Sequence, residues 1–203
     1  MGHAMAWYVR LVAATCRIHG PAVNQEQVVL AFWHEYNLAA AIAALRLRHH
    51  LYHVSFSTQT FRGEVMTTLL AALGSGSVEL PAENERSEAA RLALELARLG
   101  REGASPGVSP DGPSGPYRRA KPGTLIVARE AGVPIQPWAV AVRPPLRLRG
   151  RWDRHVLPLP FCRLRVEEAP PIRVGARQPI RPLLAELQAA LDAVAARADD
   201  RMH

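Results

Sequence analysis

The sequence predicts an α/β fold in which a mixed, mostly parallel sheet is flanked by helices. Short apolar runs of strand length alternate along the chain with longer runs of helical periodicity, the order found in layered α/β sheets. The apolar runs are rich in valine and aromatic residues, as buried parallel strands are. The 203 residues are enough to bury a core within one domain.

Helices are predicted where apolar residues recur at helical spacing, and strands where short apolar runs end in turn residues. Gly74, Gly100 and Gly132 are placed to end helices, and Asn84 to cap one. The predicted helices are Ala4–Ala14, Leu38–Leu47, Gly63–Leu73, Glu83–Leu99, Gly123–Ala131 and Pro182–Ala198. The predicted strands are Val28–Trp33, Leu51–Phe56, the residues around Val108, Pro134–Val142 and Cys162–Val166, with linkers at Ser75–Glu83 and Pro144–Pro160.

We expect one domain over residues 1–203, with a helix and a strand within residues 1–20 and a terminal helix over residues 179–203. The first helix has two interpretations. It is either an ordinary packed helix or an amphipathic helix that brings Trp7 and Tyr8 to a membrane interface. No apolar stretch reaches the ~18 uninterrupted residues that a membrane span requires.

The chain carries a net charge of +7, and Lys121 is its only lysine. The arginine bias fits either a GC-rich coding sequence or bidentate contacts to phosphate and carboxylate groups. Arginines are densest from Arg143 to Arg177, where prolines exclude a long basic helix of the kind that enters a DNA groove. An anionic membrane surface therefore fits better than nucleic acid, although an RNA-binding module remains a third interpretation.

Cysteine and histidine spacing gives little support for a metal site. Cys16 and Cys162 are far apart, which argues against a disulfide framework or a thiolate zinc site and favours a reduced, cytoplasmic compartment. His49 and His53 have a spacing that binds metals on a helix, but here a predicted helix end runs into a strand. No metal and no cofactor are expected, and motifs for mononucleotides or a serine nucleophile are absent.

Two features are candidates for chemistry. The segment 109–116 is a rigid loop rich in glycine and proline that holds Asp111, and its N–H groups at Gly112 and Gly115 are expected to face an anion. Arg118, Arg119 and Lys121 follow it and are candidate anion contacts; the alternative is a rigid turn with a solvated basic flank.

The second feature is His34, which follows the predicted strand Val28–Trp33. Open α/β sheets place their sites at the carboxyl ends of strands, and imidazole is suited to general base catalysis near neutral pH. The alternative is a structural histidine.

Several segments, in this order, carry a resemblance to a known family. They are Phe32-Trp33-His34, Pro110 to Pro116, Lys121-Pro122-Gly123, Gly132 to Pro137, Trp152-Asp153 and Pro158 to Phe161. The chain from about Val28 to Val174 resembles a small bacterial family of uncharacterised proteins within the lysophospholipid (glycerolipid) acyltransferase superfamily.

The resemblance implies an acyltransferase-like fold at the inner face of the cell membrane. It also implies acyl transfer from acyl-CoA or acyl carrier protein to the hydroxyl of a lysophospholipid. His34 and Asp111 would be the catalytic residues, His34 as the base and Asp111 as the acid of the acceptor-binding loop, to which Gly112 and Gly115 also belong. Arg118, Arg119 and Lys121 would hold a phosphate.

The sequence departs from the superfamily pattern at the acid that should orient the histidine. Ala39 stands where that acid is usual, and Arg62 precedes Gly63-Glu64 where the small family has aspartate. Glu35 and Glu64 are the substitutes considered. The alternative is a catalytically inactive protein of the same fold that binds a lipid or a protein partner. The distinguishing observation is whether a carboxylate lies within hydrogen-bond distance of the His34 ring.

Overall fold

A seven-stranded sheet forms the centre of the computed structural model, which describes residues 2–58, 61–80 and 86–202. The strand order is β1-β9-β6-β2-β5-β3-β4, and β7 pairs with β8 in a separate hairpin. The strands are β1 Arg17–His19, β2 Val29–Ala31, β3 His53–Thr58, β4 Gly76–Leu80, β5 Ser105–Val108, β6 Ile135–Arg143, β7 Leu146–Arg147, β8 Val156–Leu157 and β9 Arg163–Glu168.

All neighbouring strands of the large sheet run parallel except β6 and β9, which are antiparallel. The α/β class with a mixed, mostly parallel sheet is thus confirmed. The chain leaves β2 for β3 on one side of the sheet and later returns to β6 on the other side. Such a change of side opens a crevice at the carboxyl ends of the strands, where α/β proteins bind ligands.

Within the described residues, six helices lie on the two sides of the sheet. They are α1 Gly2–Thr15, α2 Asn37–Leu47, α3 Phe61–Ala72, α4 Arg86–Arg101, α5 Gly123–Ala131 and α6 Ile180–Asp200. Apolar residues of α1, α2 and α3 pack in one core cluster, and those of α4, α5 and α6 pack in the other. The first eight residues of β6 are buried, as expected for a central strand covered on both faces.

The predicted elements agree closely where the sequence pattern was regular. Helix α5 has the predicted bounds, and Gly132 follows it with a φ of 73°, the left-handed conformation that ends helices. The predicted linkers Ser75–Glu83 and Pro144–Pro160 are both wrong in part. Gly76–Leu80 forms strand β4, and Leu146–Arg147 and Val156–Leu157 form the paired strands β7 and β8. The start of the helix predicted at Glu83, with Asn84 as its cap, lies outside the described residues.

Helix α1 packs against α2 and α3 on one side and is open on the other side. Ala6, Val9 and Val12 are buried, whereas Trp7 is 71% exposed and Leu11 is 51% exposed. The interpretation as an ordinary packed helix describes the buried side, and the interpretation that Trp7 and Tyr8 meet a membrane interface stays a prediction. No helix among the described residues is both long enough and apolar enough to cross a bilayer.

Candidate active site

His34 lies at the carboxyl edge of the sheet, where β2 has ended and a single 3-10 turn leads into α2. Its backbone N–H donates to Oδ1 of Asp111, 3.0 Å away, in the loop that follows the neighbouring strand β5. Asp111 is fully buried, and its Oδ2 accepts the N–H of Arg118 at 3.1 Å. Two strands and one buried carboxylate therefore fix the backbone that carries the imidazole.

The His34 ring has a carboxylate partner. Nδ1 lies 2.9 Å from Oδ2 of Asp153, whose side chain is fully buried. Burial alone would raise the pKa of Asp153, but the Arg151 guanidinium and His34 outweigh burial, and the pKa falls to about 2. An ionised carboxylate only accepts hydrogen bonds, so Nδ1 is the donor, and in the neutral imidazole Nε2 then keeps its lone pair. This is the tautomer that a general base requires.

Asp153 is held in place by cations and backbone groups. Arg151 donates from Nε to Oδ1 at 2.8 Å and from a terminal nitrogen to Oδ2 at 2.6 Å. The His155 N–H donates to Oδ1 at 3.3 Å, and the His155 ring nitrogen Nδ1 lies 3.8 Å from Oδ2. Burial lowers the pKa of His155, so this second imidazole favours the neutral form.

The orienting acid is therefore neither of the substitutes considered from the sequence. Glu35 is buried and paired with Arg118, Arg147 and the Tyr117 hydroxyl, while Glu64 is an exposed residue of α3. Asp153 stands 119 positions beyond His34, so no local spacing indicates the pair. The only sequence signal was the Trp152-Asp153 segment within the family resemblance.

The glycine-rich loop meets the His34 ring through a glycine. A Cβ built at Gly112 would lie 3.1 Å from Cδ2 of His34, so loop and imidazole are in contact. The N–H of Gly112 donates to Ser109 and that of Gly115 donates to Asp111. The expectation that these two N–H groups face an anion is therefore wrong, because the loop uses both to hold its own shape.

Gly115 connects the loop to the segment that carries Asp153. Its φ is 79°, and a Cβ there would lie 2.7 Å from Cε3 of Trp152. The Trp152 ring in turn lies against the His34 ring, with centroids 5.1 Å apart and planes tilted by 49°. Trp152 thus packs between loop and histidine and places the following residue, Asp153, beside Nδ1.

The three candidate cations differ in what they contact. Arg118 is engaged by Glu35 and by the Tyr36 hydroxyl, so its charge is already paired inside the protein. Arg119 is exposed. Lys121 donates to the carbonyl of Gly112 at 3.0 Å, which places its ammonium group next to the loop residue that touches His34. Burial lowers the pKa of Lys121.

A cavity of about 800 Å³ opens beside His34. His34, Arg151 and His155 contribute polar groups to its wall. Most of the wall is apolar and comes from α1, α2, α3 and the strands beneath them, including Met5, Tyr8, Leu30, Phe32, Leu38, Leu45, Val54, Phe56, Val65, Met66, Leu69, Leu70, Leu73, Leu148 and Leu157. A concave apolar wall with a few convergent polar groups is typical of a small-molecule site.

His34, Asp153 and His155 each offer a ligand atom within 4.8 Å of the others, which is close enough for a metal ion. Both oxygens of Asp153 already accept hydrogen bonds from Arg151, and the guanidinium charge repels a second cation. The grouping fits the orientation of an imidazole better than the binding of a metal.

No family model matches the chain. It is 26% identical over 179 residues to an uncharacterised protein of Rickettsia prowazekii, covering 84% of this chain and 79% of that protein. Among solved structures it is similar to the 1-acyl-sn-glycerophosphate (LPA) acyltransferase PlsC from Thermotoga maritima. The TM-score is 0.58 at 15% sequence identity, over 95% of this chain and 78% of the other. The chain therefore has an acyltransferase-like α/β fold, with a histidine–aspartate pair beside an apolar cavity.

Proposed function

We propose that the protein transfers an acyl group from a thioester, acyl-CoA or acyl carrier protein, to a hydroxyl of a lysophospholipid-type acceptor. One observation carries the proposal: the His34 ring, oriented by the buried Asp153, is part of the wall of a large apolar cavity. A base with a free Nε2 suits removal of a hydroxyl proton, and the cavity suits an alkyl chain. The similarity to an LPA acyltransferase agrees with this substrate class.

In the proposed reaction, Nε2 of His34 accepts the proton of the acceptor hydroxyl as its oxygen attacks the thioester carbonyl carbon. A carbon–oxygen bond forms, and the collapse of the tetrahedral intermediate breaks the carbon–sulfur bond. The imidazolium then returns its proton to the leaving thiolate, which departs as a thiol. Asp153 stabilises the imidazolium through Nδ1, as carboxylates do in catalytic triads.

Asp111 acts in this account as a positioning residue. Its two oxygens accept backbone N–H groups of His34 and Arg118, and it is not part of the cavity wall. Lys121, at the loop beside the imidazole, is the cation placed to hold the acceptor's phosphate, whereas Arg118 is occupied by Glu35.

We place the reaction at a membrane surface, where lysophospholipids reside. Met5 of α1 and Met66 of α3 are both part of the cavity wall and are each 37% exposed, so the cavity reaches the outer surface between these helices. Trp7, two residues beyond Met5, is 71% exposed. An indole on an exposed helix face is suited to the interfacial region of a bilayer.

The test is incubation of the protein with palmitoyl-CoA and 1-acyl-glycerol 3-phosphate, with mass spectrometry of the lipid products. The diacyl product is expected with wild type and with His50→Ala, an exposed histidine outside the cavity wall, and is expected to be lost with His34→Ala. Equal product from wild type and His34→Ala would remove His34 from the mechanism. Binding of both substrates without product from wild type would favour the inactive, lipid-binding alternative.

A further inference from the structure

Three arginines stand in a row across three neighbouring strands. Arg17 of β1 is the register partner of Arg163 of β9, and Arg163 is the register partner of Arg143 of β6. Register partners point to the same face of a sheet and lie close together. The three side chains, together with Thr15, Pro144 and Phe161, form an open groove of about 510 Å³. None of these residues is part of the cavity wall at His34.

Several arginines close to this row have carboxylate partners that neutralise their charge. Arg165, two residues along β9, pairs with Glu167 at 2.8 Å, and Arg201 of the segment after α6 shares the same carboxylate. Arg147 and Arg151 pair with buried Glu35 and Asp153.

Arg17 and Arg163, by contrast, have no carboxylate partner within the part of the chain that the structure describes. Like charges directly opposite each other destabilise a sheet, and a bound anion would relieve that repulsion.

An exposed apolar ridge borders this groove. Phe161 is 78% exposed, with a φ of 65°, and its N–H donates to Oγ1 of Thr15 at 3.1 Å. Leu11 and Trp7 precede Thr15 on α1 at steps of four residues, which places them on the same helix face. Leu11 is 51% exposed and Trp7 is 71% exposed. Apolar side chains beside clustered arginines match the layered chemistry of an anionic bilayer surface.

We propose that Arg17, Arg143 and Arg163 form a phosphate-binding site, separate from the His34 site, that takes the headgroup phosphate of an anionic phospholipid. Guanidinium groups bind phosphate oxygens through paired hydrogen bonds, and three of them surround one groove. Phe161, Leu11 and Trp7 enter the interfacial layer of the same bilayer. The site does not depend on acyl transfer, so its test measures binding alone.

The test compares the sedimentation of the protein with vesicles of phosphatidylcholine alone and with vesicles that also contain phosphatidic acid. A second arm measures the thermal shift produced by inorganic phosphate. The double variant Arg17→Gln/Arg163→Gln removes two charges from the row. Its matched control, Arg173→Gln/Arg177→Gln, removes two exposed arginines that are not part of the groove.

We expect wild type and the control to bind the phosphatidic acid vesicles, and the row variant to bind them roughly tenfold or more weakly. The row variant should melt no lower than wild type, because it relieves repulsion between like charges. Phe161→Ala should weaken vesicle binding and leave the response to phosphate unchanged. If phosphate raises the melting temperature of wild type but not of the row variant, and neither protein binds vesicles, the site is supported and its ligand is a soluble phosphate.

Two kinds of result would overturn the proposed site. The first is that, with vesicles and with phosphate alike, the row variant binds as well as wild type or wild type does not bind at all. The second is an equal loss in the control, which would mean that net charge alone is responsible.

Discussion

His34 and Asp153 are joined by a 2.9 Å contact between Nδ1 and Oδ2, although 119 positions separate them in the sequence. The contact depends on the hairpin of β7 and β8, which returns the chain toward the sheet and carries Asp153 between its two strands. It supplies the orienting carboxylate that the sequence lacks at Ala39. His34 at the end of β2 therefore has the carboxylate partner that orients a histidine for acid–base chemistry.

A glycine should be required at position 115 because the loop packs closely against the Trp152 ring there. In Gly115→Ala, a Cβ at a φ of 79° would lie 2.7 Å from the Trp152 ring, so both backbone strain and a clash arise. We expect a loss of about 1–3 kcal/mol in the free energy of unfolding, measured by urea denaturation. Gly74→Ala is the matched control, since Gly74 has a φ of 76° but no atom within 4 Å of the added carbon. Equal losses would show that the contact with Trp152 has no energetic role.

The acid stability of the protein should depend on Asp153. Its pKa in the folded protein is about 2, below the ordinary value of 3.8. A lowered folded-state pKa stabilises the fold above the ordinary value, and that contribution is lost as the pH falls from about 4 to about 2. Thermal unfolding across this range should show a smaller pH dependence for Asp153→Asn than for wild type. The exposed Asp200→Asn is the control, and an unchanged slope for Asp153→Asn would contradict the account.

The apolar cavity should set the length of the acyl chain. Ala41 of α2 is part of the cavity wall and is only partly buried, so Ala41→Phe adds a ring with little disturbance of the core. We expect the preference for palmitoyl-CoA over octanoyl-CoA, measured as the ratio of kcat/KM, to fall about tenfold or more, since each buried methylene is worth about 0.8 kcal/mol. Ala189→Phe on the exposed face of α6 should leave the ratio unchanged. An equal preference for palmitoyl-CoA over octanoyl-CoA in both variants would show that the acyl chain does not bind in this cavity.

Lys121 should bind the acceptor's phosphate and take no part in the proton transfer. Lys121→Ala is expected to raise KM for 1-acyl-glycerol 3-phosphate about tenfold, the loss typical of one charge-assisted contact, with a small effect on kcat. Arg119→Ala provides the comparison, because that side chain is exposed. A larger increase in KM for Arg119→Ala than for Lys121→Ala would contradict binding of the phosphate by Lys121 beside the Gly112 carbonyl.

Regular local patterns predicted most of the fold. The apolar run before His34 indicated β2, and the position of the histidine at the carboxyl edge followed from it. Strand β4 was missed because Gly76 and Ser77 are typical of a linker, and because an edge strand carries little apolar signal. Helix α5 was predicted correctly because Gly132 marks its end.

The site was predictable only in its local parts. The loop around Asp111 and the histidine were found from composition and position, but their partners are set by tertiary packing. Arg118 follows the loop in sequence and was expected to bind an anion, but it forms an ion pair with the buried Glu35. Asp153 reaches His34 through a hairpin whose strands are only two residues long, too short to leave a periodic pattern.

The central claim is that His34 acts as a base because Asp153 orients it. The most direct measurement is the single-turnover rate of acyl transfer by Asp153→Asn, with palmitoyl-CoA binding measured in parallel. Asparagine preserves the shape but removes the charge and permits the wrong tautomer, so we predict a rate about 10²–10⁴-fold lower with unchanged binding of the donor. A single-turnover rate equal to that of wild type would contradict the account.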